Sequence, residues 1–209
     1  RLTDADHQRL AEEGRRPHWR FKLDGRPVTF ADLIRGEHTV NTASMSDPVL
    51  IREDGSYLYT LTSVVDDIEL SVTHVIRGED HLSNTGTQIE IFESLGVAVP
   101  EFAHHHLLTG AEGEGLSKRI GSLSLSELRA DGFEAMAVAT VAVLTGTSLP
   151  VEPYPDLAAM ADKLDLSMIS HGSARYDPAE LESLNARLLH ESVLGDPGAG
   201  VPAVARYRA

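Results

Sequence analysis

The alternation of apolar and polar positions changes period several times along the 209-residue chain. Thr3-Asp4-Ala5-Asp6 reads as a helix N-cap with acidic first-turn residues, and Gly14 as the stop of that helix. Trp19, Phe21 and Leu23 then alternate with Arg20 and Lys22, Asp24-Gly25 makes a turn, and Val28 and Phe30 alternate again. That pattern predicts a hairpin folded about Asp24-Gly25. From Ile51 the residues become richer in β-branched and aromatic types, yet Leu58, Leu61 and Val65 recur at helical spacing. A helix over 57–65 is therefore expected, followed by a short buried strand over 72–76. Ser83 or Asn84 can cap a further helix that carries Ile89, Phe92 and Leu95 and ends at Gly96. Strand, polar turn, helix and a second apolar segment (Phe102, then Leu107 and Leu108) have the rhythm of a parallel α/β unit.

Residues 109–121, "TGAEGEGLSKRIG", are glycine-rich and read as a loop. Beyond it the periods are helical. Ser124 with Glu127 makes a capping-box pattern, 133–144 is apolar and alanine-rich with a stop near Gly146, and Asp177-Pro178 with Glu180 starts a helix with Leu181, Leu184 and Leu188 on one face. The segment 194–202, "LGDPGAGVP", resembles a linker.

Composition narrows the possibilities. A hydrophobic share of 42% with 24% charged residues is that of a globular protein with a real core. With no cysteine, disulfides and Cys-ligated zinc or iron–sulfur sites are excluded. The first residues are charged and polar rather than a signal peptide, and the apolar run over 135–144 falls far short of the ~20 residues a membrane span needs, so a cytosolic protein with no membrane partner is expected. The net charge of −14 argues against a uniformly basic nucleic-acid binder. Contact with RNA would need a local basic face, such as Arg15-Arg16 with Arg20 and Lys22, or Lys118-Arg119; each cluster alone also fits a solvated mixed surface.

One tetrapeptide occurs twice, as Ile34-Arg35-Gly36-Glu37 and as Ile76-Arg77-Gly78-Glu79. The first copy follows the polar-apolar mix Phe30-Ala31-Asp32-Leu33, which does not place it at the end of a buried strand, and it reads as a turn in a peripheral module. The second stands at the C-terminal end of an expected parallel strand and just before a helix, where α/β sheets bind ligands and helix N-termini favour anions. There an arginine can hold a carboxylate through two parallel hydrogen bonds, although a structural ion-pair turn fits the residues equally well. The loop ending in Ser117-Lys118-Arg119 is open in the same way: composition favours an exposed linker, and the alternative is a phosphate-gripping lid with Lys118 as the cation. His104-His105-His106 invites a metal, but neighbouring strand residues point to opposite faces and no carboxylate is spaced to help, so no metal ligand is assigned.

Taken in order, "YTLTSVVDDIELSVTHVIRGEDHLSNTGTQIEIFESLG" (59–96), "PEFAHHHLL" (100–108) and "GLSKR" (115–119) resemble the glutamyl-tRNA synthetases, a class I aminoacyl-tRNA synthetase family. The segment 177–190 is similar to a helix that follows the catalytic core in that family. The run Arg-Gly-Glu-Asp-His-Leu-Ser-Asn-Thr is closer to these enzymes than to glutaminyl-tRNA synthetases or to the short paralogues that glutamylate queuosine.

The resemblance implies a fold and a chemistry. The fold is α/β: the second half of a class I Rossmann catalytic domain over 56–119, a small α+β connective, acceptor-binding module over 1–55, and a helical stem-contact region over 120–209. Arg77 would grip the side-chain carboxylate of glutamate, with Tyr59 and Ser63 lining the same pocket. His81, Leu107 and Leu108 would flank ATP. Ser117, Lys118 and Arg119 match the second class I signature, the "KMSKS" loop, with Lys118 the catalytic cation on the phosphates. ATP is the implied co-substrate, accompanied by Mg²⁺ and without zinc; glutamate and tRNA are the implied partners, and a monomer the implied state.

Two departures qualify that reading. Gly115 stands where the loop signature begins with lysine, and Leu116 stands in the methionine position. The first signature, His-x-Gly-His, is not in the sequence, which leads to the expectation of an internal segment with the other Rossmann half before it and an anticodon-binding domain after it. A non-catalytic tRNA-binding or regulatory paralogue remains the alternative, as does a non-discriminating synthetase that also glutamylates the tRNA for glutamine.

Overall fold

In the computed structural model, which describes residues 2–110, 113, 115 and 124–195, the first helix starts where its cap pattern places it. Helix α1 (Asp4–Glu12) is closed by a reciprocal box: the Thr3 hydroxyl accepts from the Asp6 amide, and the Asp6 carboxylate accepts from the Thr3 amide. It buries no side chain, and Gly14 follows it with a φ of 74°.

Four strands come next: β1 (Trp19–Arg20), β2 (Pro27–Asp32), β3 (Gly36–Asn41) and β4 (Val49–Ile51). The hairpin expected about Asp24-Gly25 does not form. Instead β1 runs antiparallel to β4, and β2 folds back on β3. Asp32 causes this, because its Oδ1 accepts the Ile34 and Arg35 amides at 3.0 and 2.9 Å and closes a tight turn just before Gly36, whose φ is 73°. Val28 faces Val40 across that hairpin, and both are buried. Asp24-Gly25 still bends the chain, with Gly25 at φ 69°, but it leads from one sheet into another.

Helix α2 (Tyr59–Glu69) is the one expected over 57–65, extended by a turn. Strand β5 (His74–Gly78) then passes through a short 3₁₀ turn, Glu79–His81, into α3 (Leu82–Ser94), and β6 (Glu101–His105) follows. Two local expectations fail here. Ile76 is 56% exposed, because β5 stands at the end of the strand order and is not buried on both faces. Neither Ser83 nor Asn84 caps α3: both lie inside its first turn, and His81 holds the cap position without a side-chain bond. Gly96 does end the segment, at φ 69°.

The strands order as β3-β2-β6-β5, with β2 parallel to β6 and Asp32 opposite Phe102. One sheet thus takes strands from both sides of position 55, and the compact units run Arg1–His104 and His105–Ala209. Val28, Val64, Ile89, Ile91, Phe92 and Phe102 form the core of the first. Helix α3 closes on it through Gly86, where an added Cβ would stand 2.7 Å from Val40 Cγ1. It is pinned by buried Glu90, which accepts the Thr42 hydroxyl at 2.6 Å and the Asp24 amide at 2.8 Å. Bonds to a charged acceptor of this kind contribute roughly 1.5–3 kcal/mol each.

In the second unit β7 (Leu108–Thr109) pairs in parallel with β8 (Ala174–Arg175). Its helices follow the expected signals: Leu125–Ala130 with the Ser124–Glu127 box, Ala135–Leu144 ended at Gly146 with φ 85°, and Pro178–Gly195. Leu181 and Leu184 are buried against Leu128, Val141 and Tyr176, with Leu188 packed alongside. Among the described residues no helix is long and apolar enough to cross a membrane.

Candidate functional site

The sheet brings the end of β5, the first turns of α3, the start of α2 and the end of β6 around one guanidinium. Arg77 donates from Nε to His104 Nε2 at 3.1 Å, from Nη1 to the Tyr59 hydroxyl at 3.1 Å, and from Nη2 to Thr85 Oγ1 and Gln88 Oε1, both at 2.7 Å. Its guanidinium carbon stands 5.5 Å from the centre of the Phe102 ring. Gln88 in turn donates to Ser63 Oγ at 2.8 Å. Sequence spacing explains the cluster: Thr85 and Gln88 are three apart on α3 and share a face, and Tyr59 and Ser63 are four apart on α2.

None of these acceptors is a carboxylate. Among the described residues, the ion pairs go elsewhere, Arg35 to Glu79 and Arg26 to Glu93. Thr85 and Gln88 are buried and Arg77 is half-buried, whereas Tyr59 is 49% exposed. Arg77 is therefore a positive charge held by neutral groups and open on its tyrosine side, with one N–H of Nη1 left over from these bonds for an anionic ligand. Burial pushes the Asp67 carboxyl up, an effect the Arg77 charge opposes and the neighbouring Asp66 reinforces.

Behind Arg77 lies a second tier that the sequence reading missed. The His104 ring is fully buried, with Nδ1 2.5 Å from Asp32 Oδ2 and Nε2 3.0 Å from Thr85 Oγ1. Asp32 also accepts the His104 amide at 3.2 Å. Burial drives the His104 imidazole below its ordinary value; the Asp32 bond and charge oppose this, and Arg77 and Arg35 add to it. Burial pushes the Asp32 carboxyl up, but the bonds from the His104 ring and from the Arg35, Ile34 and His104 amides outweigh it, and the group rests below the usual carboxylate value. The first Ile-Arg-Gly-Glu copy is a turn as expected, yet it is not peripheral. Arg35 Nε donates to the His104 carbonyl at 3.1 Å, and its Nη2 pairs with Glu79 of the second copy.

Of the residues singled out for glutamate, the structure brings Arg77, Tyr59 and Ser63 together. His81 joins them, its ring centre 5.5 Å from that of Tyr59 and its Nδ1 3.2 Å from Asn84 Nδ2. Leu107 and Leu108 belong to the second unit, where Leu107 is 39% exposed and Leu108 begins β7. Ser117, Lys118 and Arg119 lie outside the described residues. In the histidine run, His104 is engaged as above, His105 Nδ1 meets the His106 carbonyl at 2.8 Å, and His106 faces the Thr145 and Ser170 carbonyls at 2.9 and 3.3 Å. Among the described residues no three His, Asp or Glu side chains converge to hold a metal ion.

Known proteins resemble this chain in sequence and in fold. The family model described as tRNA synthetases class I (E and Q), catalytic domain, matches residues 1–182. A glutamate–tRNA ligase 2 of Methylobacterium sp. (strain 4-46) is 58% identical over 98% of this chain and 47% of its own length. A glutamate–tRNA ligase 1 of Brucella ovis is 56% identical over 91% of this chain and 44% of its own. The crystal structure of the glutamate-tRNA synthetase from Elizabethkingia anophelis superposes with a TM-score of 0.76 at 26% identity, covering 100% of this chain and 50% of that one. A glutamate tRNA ligase from Elizabethkingia meningosepticum, solved in complex with its amino acid, gives 0.75 at 26% identity over 99% and 47%. The chain thus spans about half the length of the relatives it matches.

Proposed function

From the premise that the chain belongs to the class I tRNA synthetase (E and Q) catalytic-domain family, we propose that the intact protein is a glutamate–tRNA ligase. Glutamate and ATP give glutamyl-adenylate and pyrophosphate, and the glutamyl group then passes to the 3′-terminal adenosine of tRNA. No side-chain nucleophile takes part, since the substrate carboxylate oxygen attacks the α-phosphorus and pyrophosphate leaves. What the protein supplies is position and charge.

The observation that carries this reading is the set of neutral partners around Arg77. A guanidinium whose hydrogen bonds all go to neutral groups favours an amino acid with a carboxylate side chain over one with a neutral side chain, because the carboxylate brings the opposite charge that those groups lack. In this reading Arg77 takes the side-chain carboxylate, with the Tyr59 hydroxyl and Ser63 setting the pocket walls. His81, beside Tyr59, borders the nucleotide, as do Leu107 and Leu108. Ser117, Lys118 and Arg119 act on the phosphates, Lys118 as the catalytic cation, and Mg²⁺ arrives with ATP. Residues 1–55 serve the tRNA acceptor end and 120–209 its stem, in a cytoplasmic monomer.

The test is amino-acid-dependent exchange of pyrophosphate into ATP by the intact protein with tRNA present. Exchange driven by glutamate, and not by glutamine or aspartate, supports the assignment; exchange with none of the three removes it.

A further inference from the structure

We propose that Asp32 and His104 form a positioning dyad that fixes which imidazole nitrogen carries the proton, so that His104 presents a bare Nε2 to the Nε–H of Arg77 and holds the guanidinium in its glutamate-reading orientation. The inference rests on the reading of Arg77 as the carboxylate-binding group, and it extends that site to two residues that touch no substrate.

The hydrogen-bond directions leave little choice. Arg77 Nε can only donate, so the His104 Nε2 it meets at 3.1 Å must accept. A neutral imidazole with a bare Nε2 carries its proton on Nδ1, and Nδ1 stands 2.5 Å from Asp32 Oδ2, an acceptor. The carboxylate is itself oriented, since its other oxygen receives the Ile34, Arg35 and His104 amides at 3.0, 2.9 and 3.2 Å. Asp32 is therefore held by the hairpin turn, His104 by Asp32, and Arg77 by His104. The charged groups facing His104 are Asp32 from β2, Arg35 from the turn after it, and Arg77 from β5. The ring is fully buried, so bulk solvent does not reach it. Thr85 Oγ1, at 3.0 Å from Nε2 and 2.7 Å from Arg77 Nη2, closes the triangle. This chain of buried orienting groups behind a functional side chain serves the purpose that outer hydrogen bonds serve at preorganised sites.

The dyad makes a prediction that bulk packing does not. In D32N the Asn oxygen can still take the backbone amides, which leaves its NH₂ facing His104 Nδ1. The imidazole proton must then move to Nε2, donor to donor against Arg77. H104N keeps a group facing Asp32 and loses the acceptor for Arg77, whereas H104Q places its amide oxygen near the old Nε2 position.

The experiment measures KM for glutamate and for ATP, with kcat and thermal midpoint, in glutamate-dependent exchange by intact wild-type, R77A, D32N, H104N and H104Q proteins. The expected result is loss of glutamate use in R77A, a rise of about tenfold or more in glutamate KM for D32N and H104N with ATP KM within about twofold, and recovery of most of that loss in H104Q. Loss in R77A with glutamate KM unchanged in D32N and H104N overturns the dyad and leaves the Arg77 reading standing. So does an equal rise in both KM values. Normal glutamate use by R77A overturns both. Should D32N and H104N fail to fold, the pH profile decides between wild type and H104Q: in wild type glutamate KM holds through the ordinary histidine value of 6.5 and climbs only at lower pH, where the buried imidazole takes up its proton, and in H104Q it does not climb there. Parallel profiles overturn the dyad.

Discussion

Arg35 pairs with Glu79, so the two copies of Ile-Arg-Gly-Glu, 42 positions apart in the chain, are joined by a salt bridge in space. The side chains are only 16% and 27% exposed, which keeps solvent from screening the pair fully. One copy closes the β2–β3 hairpin and the other ends β5, and the bridge locks the turn that carries Asp32 to the strand that carries Arg77.

Glu79→Ala leaves the Arg35 guanidinium short of its carboxylate. A loss of about 1–3 kcal/mol is expected. Chemical denaturation of the wild-type and E79A proteins measures it, and an unchanged midpoint would show that the bridge is incidental.

Gly86→Ala places a methyl 2.7 Å from Val40 Cγ1 and 2.8 Å from Val40 Cβ. Alanine is the better helix former by about 1 kcal/mol, but the overlap with a β-branched side chain held in a strand outweighs it, for a net loss of about 1–3 kcal/mol. V40A in the same protein should restore part of the thermal midpoint. If G86A alone is more stable than wild type, the close approach of α3 to β3 is wrong.

Thr140 and Thr145 have buried hydroxyls that find no hydrogen-bond partner among the described residues. Thr140→Val keeps the shape and the β-branch and removes the unsatisfied group, so it is expected to stabilise by about 1 kcal/mol. A T140V protein that melts below wild type contradicts this.

Stability should fall with acid in a defined window. His104 and Asp32 both titrate lower in the folded chain than their ordinary values of 6.5 and 3.8. The unfolded chain therefore binds more protons as pH drops, and stability is full above 6.5, declines below it through His104, and declines again below 3.8 through Asp32. Thermal melts from pH 7.5 downward should show the first decline in wild type and a shallower one in H104Q. Equal slopes would mean that other groups carry the acid sensitivity.

Much of this was legible along the chain wherever local rules decide. The Thr3 cap, the Ser124 box, the Gly96 and Gly146 stops and the Pro178 start stand where their neighbours in sequence place them. What sequence reading missed was set across the chain. The hairpin moved from Asp24-Gly25 to the turn after Asp32, because a side chain in the strand supplied the turn's acceptor. Asp32 and His104 are 72 positions apart, and nothing local marks an aspartate in a strand as the partner of a histidine in another. His104 stood out only as one of three adjacent histidines, which invited a metal instead. Thr85 and Gln88 had a readable signal, polar residues three apart on α3, following an arginine that had already been singled out.

The central claim is that Arg77 reads the side-chain carboxylate of glutamate, and the most direct measurement is glutamate-dependent pyrophosphate exchange by intact R77A protein at saturating ATP with tRNA present. A fall of at least about a hundredfold in kcat/KM for glutamate, with ATP KM within about twofold of wild type, is the predicted result. Exchange by R77A at the wild-type glutamate KM would contradict it.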